Sequence, residues 1–362
     1  MTAPSPNPTP LLRTLSLAQI TLYGIGTILG AGIYVLVGEV ANIAGSHMPL
    51  AFVLAALVVS FSAYSYGHLS RLYPVSAGEP IYVQQAFALK SLSTAVGYAI
   101  VFAGVVSAAT IARGFSGYFA VFLALPDTLT ISLLIILLTA IAAWGVKLSV
   151  TVAITTTLLE LLGLAFVIYA GVDKLPALFN NADRPLIPVS LSAWQGVGAG
   201  AFLAFYAFIG FEDMVNMAEE VKQPEKNMPR GILLALVTAC LLYFIVTLCA
   251  LAAVPLQELA VSKAPLVLVV EKNTSIPIAL MTSISIVAVV NGALLQIIMA
   301  SRVLYGMGKK RMAPSFLATV HPRRQTPLIA TLLVGTLVLS GALLAPLVTL
   351  AQATSGTILQ LR

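Results

Sequence analysis

Apolar residues in this chain come in long unbroken runs rather than in the one-sided stripes of a water-soluble helix. Such runs lie near 17 to 44, 49 to 71, 93 to 124, 129 to 146 and 151 to 172. A second group lies near 195 to 219, 230 to 254, 276 to 306 and 327 to 346, with a last run from about 349. A hydrocarbon core about 30 Å thick takes roughly 20 apolar residues per helical crossing. Backbone in lipid must satisfy its own hydrogen bonds, which leaves helices or closed barrels, and the period-2 alternation of a barrel strand is missing. The pattern predicts an all-α integral membrane protein of about ten transmembrane helices. The last run ends at Arg362, too early for a full crossing, so that helix is expected to be incomplete.

The joints divide the chain into a disordered, Pro-rich cytoplasmic tail (1–16), a first five-helix repeat (17–172) and a second (195–362). Because five is odd, the second group enters the membrane from the opposite side, which makes the halves inverted repeats. The tail lacks a basic n-region and a small-residue cleavage site, so it does not read as a signal peptide. Composition agrees with membrane residence: 59% of residues are hydrophobic and 9% charged, and the mean hydropathy is +0.99, unlike any soluble domain.

Basic residues set the orientation, since Lys and Arg collect on the cytoplasmic side. With the N-terminus inside, the inner joints and helix ends carry Arg13, Arg71, Lys90, Lys147, Lys222, Lys226, Arg230, Arg302, Lys309, Lys310, Arg311, Arg323, Arg324 and Arg362. The outer ones carry Lys174, Arg184, Lys263 and Lys272. The net charge of +6 is then explained by loops facing anionic lipid, without nucleic acid.

Two spans carry glycine where a helix disfavours it, and each opens its group of five. One reads GIGTILGAGIY over 24–34, the other FYAFIGFE over 205–212. Close helix packing through the Gly26/Gly30 GxxxG and an ordinary aromatic helix face are the structural alternatives. Matched positions in two halves instead point to a transporter's binding site. The glycine run has no following βαβ unit, which excludes a dinucleotide fold.

These residues, taken with PVSAGEPIY over 74–82, FIGFE over 208–212, EEVKQP over 219–224, PRGI over 229–232, SRVLYGM over 301–307 and HPR over 321–323, resemble the amino acid, polyamine and organocation (APC) transporter superfamily in its bacterial amino acid permease form. Glu79 and Pro80 stand where relatives commonly have a second glycine and its neighbour. The resemblance implies a 5+5 inverted repeat with discontinuous helices 1 and 6. It implies twelve helices in all, so helices 11 and 12 are expected to be absent from this C-terminally truncated chain.

A helix unwound at mid-membrane offers free N–H groups where one half begins and free carbonyls where the other ends, and a zwitterion fits between them. The substrate carboxylate is expected at the amides of Gly30, Ala31 and Gly32, and its ammonium at carbonyls near Ile28, Tyr206, Ala207 and Ile209. Ala31 and Ala207 leave room for a side chain, and Gly104 is expected on the far wall. Resemblance implies the same assignment, with Tyr206 closing over the substrate as a gate.

Ionisable groups inside the bilayer are costly and so usually functional. Glu39 and Arg113 are expected to snorkel from helix ends, while Asp213 and Glu212 follow the second glycine break and Glu160 lies near the middle of its span. Glu160 reads either as a proton carrier or as the ion-pair partner of Arg113. The run Glu219, Glu220, Lys222, Glu225, Lys226, Arg230 is either a solvated helix end or an inner gate latched to Lys309, Lys310 or Arg311. Cys240 and Cys249, about 13.5 Å apart along one helix, cannot form a disulfide. His47, His68 and His321 are too scattered to hold a metal, and no cofactor is expected. No HExxH, GxSxG or P-loop supports an enzyme. The expected function is secondary transport of amino acids or related amines by alternating access, proton-coupled or exchanging; the alternative is a transport-inactive fragment or a substrate-sensing membrane protein of the same fold.

Overall fold

The computed structural model describes residues 11–119, 125–180, 186–262 and 264–344. Within them the chain is helical nearly throughout. The helices are α1 (Leu17–Ala44), α2 (Met48–Leu72), α3 (Gly78–Phe87), α4 (Lys90–Phe119), α5 (Asp127–Trp144), α6 (Val146–Gly171) and α7 (Leu175–Phe179). They continue with α8 (Leu191–Tyr206), α9 (Pro224–Ala253), α10 (Leu256–Val261), α11 (Pro265–Asn273), α12 (Ile278–Lys309) and α13 (Leu328–Leu344). Among the described residues there is no sheet, only an isolated parallel bridge between Leu15 and Val221.

Eight stretches of the described residues are long and apolar enough to cross a bilayer, and α13 is a shorter apolar helix. The expected spans return as α1, α2, α4, α5, α6, α8 with its continuation, α9, α12 and α13. The run from about 349, the first ten residues of the tail, and Arg184, Lys263 and Arg362 lie outside the described residues.

Helix starts follow local chemistry. The Ser16 hydroxyl accepts from the Gln19 amide at 3.3 Å, and the Gln19 side chain accepts from the Ser16 amide at 3.0 Å, a reciprocal capping box at the head of α1. Helices α2 and α9 carry proline in their first turn, where its missing N–H leaves no intrahelical bond unmade.

Helix α1 is the hub, touching α6, α8, α9, α10 and α12, with Ile20, Leu29, Ile33 and Val37 fully buried. Helix α4 packs on α12 and α13, and α2 on α8 and α9. The outside is as apolar as the inside: α5 exposes Leu133, Ile136 and Leu137, α13 exposes Leu332 and Leu337, and α9 exposes Leu233, Val237 and Leu241. Apolar residues at helical spacing on both faces need hydrocarbon outside. The chain is a multi-pass membrane protein.

Candidate functional site

Two interruptions meet at the centre of the bundle. Inside α1, Gly30 leaves helical geometry (φ 13°, ψ −145°). Helix α8 stops at Tyr206, and residues 207–210 lead into a 3-10 segment, Phe211–Glu220. Gly210 has φ +127°, a conformation L side chains rarely adopt. A Cβ there would lie 2.3 Å from the Thr27 carbonyl oxygen, and one at Gly32 would lie 2.9 Å from the Ala207 Cα. Missing side chains at Gly210 and Gly32 thus let the two backbones touch. Gly30 differs: it is buried, yet among the described residues nothing stands within 4 Å of its Cβ position beyond its own turn. The space beside the first break is therefore open among the described residues.

The carbonyls of Ala204, Phe205 and Tyr206 accept from the amides of Ala207, Phe208 and Ile209 at 2.9, 3.1 and 3.2 Å, so the end of α8 tightens into 3-10 turns. The Ile28 and Ala207 carbonyls both accept from the Tyr243 hydroxyl on α9, each at 2.9 Å. One O–H proton is shared between two acceptors. Tyr243 is fully buried, edge-on to Phe52 and Phe208. Sequence reasoning missed it; a tyrosine within an apolar span signals a hidden hydroxyl partner.

Ile28, Gly30, Gly32, Ala207 and Ile209 are thus gathered at the two breaks, with Ala31 next along the backbone. Tyr206, expected as a closing gate, keeps 48% of its surface exposed. Gly104 is placed in the contact between α4 and α12, where a Cβ would meet the Met299 methyl at 2.8 Å and the Gln296 oxygen at 3.2 Å.

Glu160, on α6, is fully buried beside α1. Its Oε1 accepts from Asn291 Nδ2 at 2.8 Å, the same nitrogen lies 3.4 Å from Thr157 Oγ1, and its backbone carbonyl accepts from the Tyr34 hydroxyl at 2.7 Å. Its Oε2 has no hydrogen-bond partner among the described residues. The expected Arg113 partnership is not formed: Arg113 donates from Nε to the Ala342 carbonyl and from Nη2 to the Leu343 carbonyl at 3.2 Å. It thereby ties α4 to the Ala342 and Leu343 carbonyls of α13.

The sequence profile of the amino acid permease family matches residues 15–361. The chain belongs to the amino acid permease family. The chain is 30% identical to the branched-chain amino acid permease of Bacillus subtilis over 94% of this chain and 76% of that protein. It is 29% identical to the methylthioribose transporter of the same bacterium, over 90% and 73%. A vacuolar cationic amino acid transporter of Arabidopsis thaliana is 27% identical, over 91% of this chain and 58% of that one. In fold, the chain is similar to a Na+-coupled sialic acid symporter in its substrate-bound outward-open state, with a TM-score of 0.64 and 13% identity over 91% of this chain and 74% of that one. This permease is a secondary transporter of amino acids or related amines.

On the side where α2 ends and α9 begins, two ion pairs join the 3-10 segment to α12. The Arg302 Nε donates to Glu220 Oε1 at 3.0 Å with both side chains buried. Lys309 Nζ lies 2.8 Å from Glu219 Oε2, which also accepts from the Tyr305 hydroxyl at 3.3 Å, while Glu219 Oε1 accepts from the Ser76 amide at 3.2 Å. Of the three cations expected as latch partners, Lys309 engages; Lys310 and Arg311 are exposed. Arg302, counted only as a basic joint residue in the sequence, is the buried partner. The chain entering α1 is strapped to the same segment: the Thr14 and Leu15 amides both donate to the Glu220 carbonyl at 2.9 Å, and the Lys222 amide to the Leu15 carbonyl at 2.8 Å.

The permease's acidic residues sort by environment. Glu39 is exposed. Glu212 Oε2 accepts from the Gly210 amide at 2.8 Å, meeting a free N–H at the start of the 3-10 segment. Asp213 accepts from Gln296 Nε2 at 2.9 Å. In the Pro74–Tyr82 motif, the Gly78 amide donates to Asn216 Oδ1 at 3.0 Å. Burial pushes the neighbouring Glu79 carboxyl up to about 7; repulsion from the Glu212 carboxylate adds to this, and hydrogen bonds from backbone and Asn216 oppose it.

Proposed function

We propose that this permease carries amino acids across the cell membrane by alternating access, with its N-terminus cytoplasmic and its helices arranged as two inverted groups of five. The observation that carries the reading is the contact between the Gly30 interruption and residues 207–210, with open space left at Gly30. Broken helices that meet near the middle of a bundle supply both ends of a zwitterion site. In this reading the amides of Gly30, Ala31 and Gly32 take the carboxylate. The Ile28 and Ala207 carbonyls take the ammonium with the Tyr206 and Ile209 carbonyls, and Tyr243 holds two of those carbonyls in place. Tyr206 closes over the bound substrate, and Gly104 keeps α4 close behind the site.

Glu160 is the proposed proton carrier: its uncountered carboxyl accepts from Asn291 on α12 while its backbone carbonyl accepts from Tyr34 on α1, which ties the titrating group to the helix that holds the substrate. The Glu219–Lys309 and Glu220–Arg302 pairs form the inner gate. The names of the relatives suggest branched-chain or cationic amino acids as the substrate class, and a carrier rather than an enzyme.

Purified protein in liposomes, offered radiolabelled leucine, valine, arginine, lysine and methylthioribose with and without an imposed pH gradient, tests this. Accumulation of an amino acid above its external concentration is expected. Thermal stabilisation by a ligand without any flux would replace transport with substrate sensing.

A further inference from the structure

Phe52 meets Tyr243 and Gly67 meets Pro229, whose Cα would lie 3.6 Å from a Gly67 Cβ, so α2 and α9 run antiparallel. Where α2 ends and α9 begins, they part around an outward-facing cavity of 1110 Å³, above the roughly 300–1,000 Å³ of small-molecule pockets. Its floor is apolar and buried, formed by Ala63, Gly67 and Leu236. Its walls are Phe61, Tyr64 and Leu233, which are 71%, 78% and 61% exposed. At the helix ends the rim turns polar, with Arg71, Lys226 and Arg230 against the single carboxylate Glu225. Among the described residues, no ion pair or side-chain hydrogen bond engages these three cations.

An occupant must therefore be apolar along the helices and anionic at their ends. We propose that this groove binds one anionic phospholipid, its acyl chains on Ala63, Gly67 and Leu236 and its phosphate among Arg71, Lys226 and Arg230. Basic pockets between membrane helices at the level of the head groups select such lipids, and Tyr64 suits the interfacial depth. A second copy of the chain related by a two-fold axis would set this cationic rim against itself, and a soluble anion would leave the apolar walls without a partner. The site stands apart from the transport reading, because none of its residues belongs to the breaks, the Glu160 network or the latch.

The test is native mass spectrometry of the full chain released from nanodiscs holding equal phosphatidylglycerol and phosphatidylcholine with identical acyl chains. Wild type should retain one phosphatidylglycerol at least about tenfold in preference to phosphatidylcholine. Arg71→Gln, Lys226→Gln and Arg230→Gln together should weaken it by about a hundredfold, at about fivefold per basic residue. The control triple Lys310→Gln, Arg311→Gln, Arg323→Gln should not. Millimolar inorganic phosphate should fail to displace the lipid. Equal retention of the two lipids by wild type, displacement by phosphate, or a dimer that the groove substitutions dissociate without lipid loss would each overturn the proposal. Should the triple variant not fold, the wild-type lipid preference and the Arg71→Gln and Arg230→Gln single variants decide alone.

Discussion

The Arg302 guanidinium and the Glu220 carboxylate meet at 3.0 Å where neither is reached by solvent, joining the segment after the second break to α12. Removing one charge leaves the other buried and alone, at a cost of about 3–5 kcal/mol. Glu220→Gln and Arg302→Met should each lower the thermal midpoint in detergent sharply, and the double variant should regain much of the loss. Two single losses that simply add would mean the residues act separately.

Gly30 and Gly32 separate a binding role from a packing role. No neighbour blocks a side chain at Gly30, whereas one at Gly32 would press on Ala207. Gly30→Val should insert and stay folded yet lose ligand-induced stabilisation and uptake. Gly32→Val should lose binding and stability together, because the two breaks can no longer touch. Normal uptake by Gly30→Val would move the substrate elsewhere.

For Glu160 the discriminating variant is Glu160→Gln, which keeps the Asn291 contact and removes the titrating proton. Substrate exchange across liposomes should continue while accumulation driven by a pH gradient vanishes. Since Arg113 serves α13 instead, adding Arg113→Gln should rescue nothing. A stable Glu160→Gln protein that still concentrates substrate under a pH gradient would remove the residue from coupling.

Glu79 sets a pH dependence of stability. Its carboxyl titrates near 7 in the folded protein against an ordinary 4.5, so its protonated form is the one folding favours. Its contribution is complete below about pH 4.5 and is lost as pH rises through 7. The wild-type thermal midpoint should fall across that window, and Glu79→Gln should flatten the decline and be the more stable protein above pH 7. An unchanged slope would show that other groups cause it.

Orientation is testable with single cysteines at Ser262 and Lys309 in a background without Cys240 and Cys249. Impermeant maleimides should label them from opposite faces of the membrane, with Lys309 reached from the cytoplasm. Labelling of both from one face would refute the crossing count.

The spans were legible because a bilayer crossing demands a length of apolar sequence that nothing else in a chain needs; α1 and α9 could be placed from hydropathy alone. Helix α3 was not legible, being ten residues long, partly polar and opened by Ala77 at φ +61°, with no periodic signal to carry it. The breaks were visible as glycines, since close backbone contact excludes Cβ atoms. The partners were not visible: Tyr243 reaches Ile28 across 215 positions and Arg302 reaches Glu220 across 82, and no local rule encodes such a distance. The Arg113–Glu160 pairing failed because depth along a tilted helix is uncertain by about a turn.

The strap between Leu15 and Val221 makes one lever of two limbs. The residues leading into α1 and the end of the segment beyond Gly210 share three backbone hydrogen bonds, together worth about 2–4 kcal/mol. A swing of either limb away from α12 drags the other or peels that joint. In the proposed transport cycle, opening toward the strapped side would be a single stroke rather than two independent ones, with a half-open intermediate penalised by the strap itself.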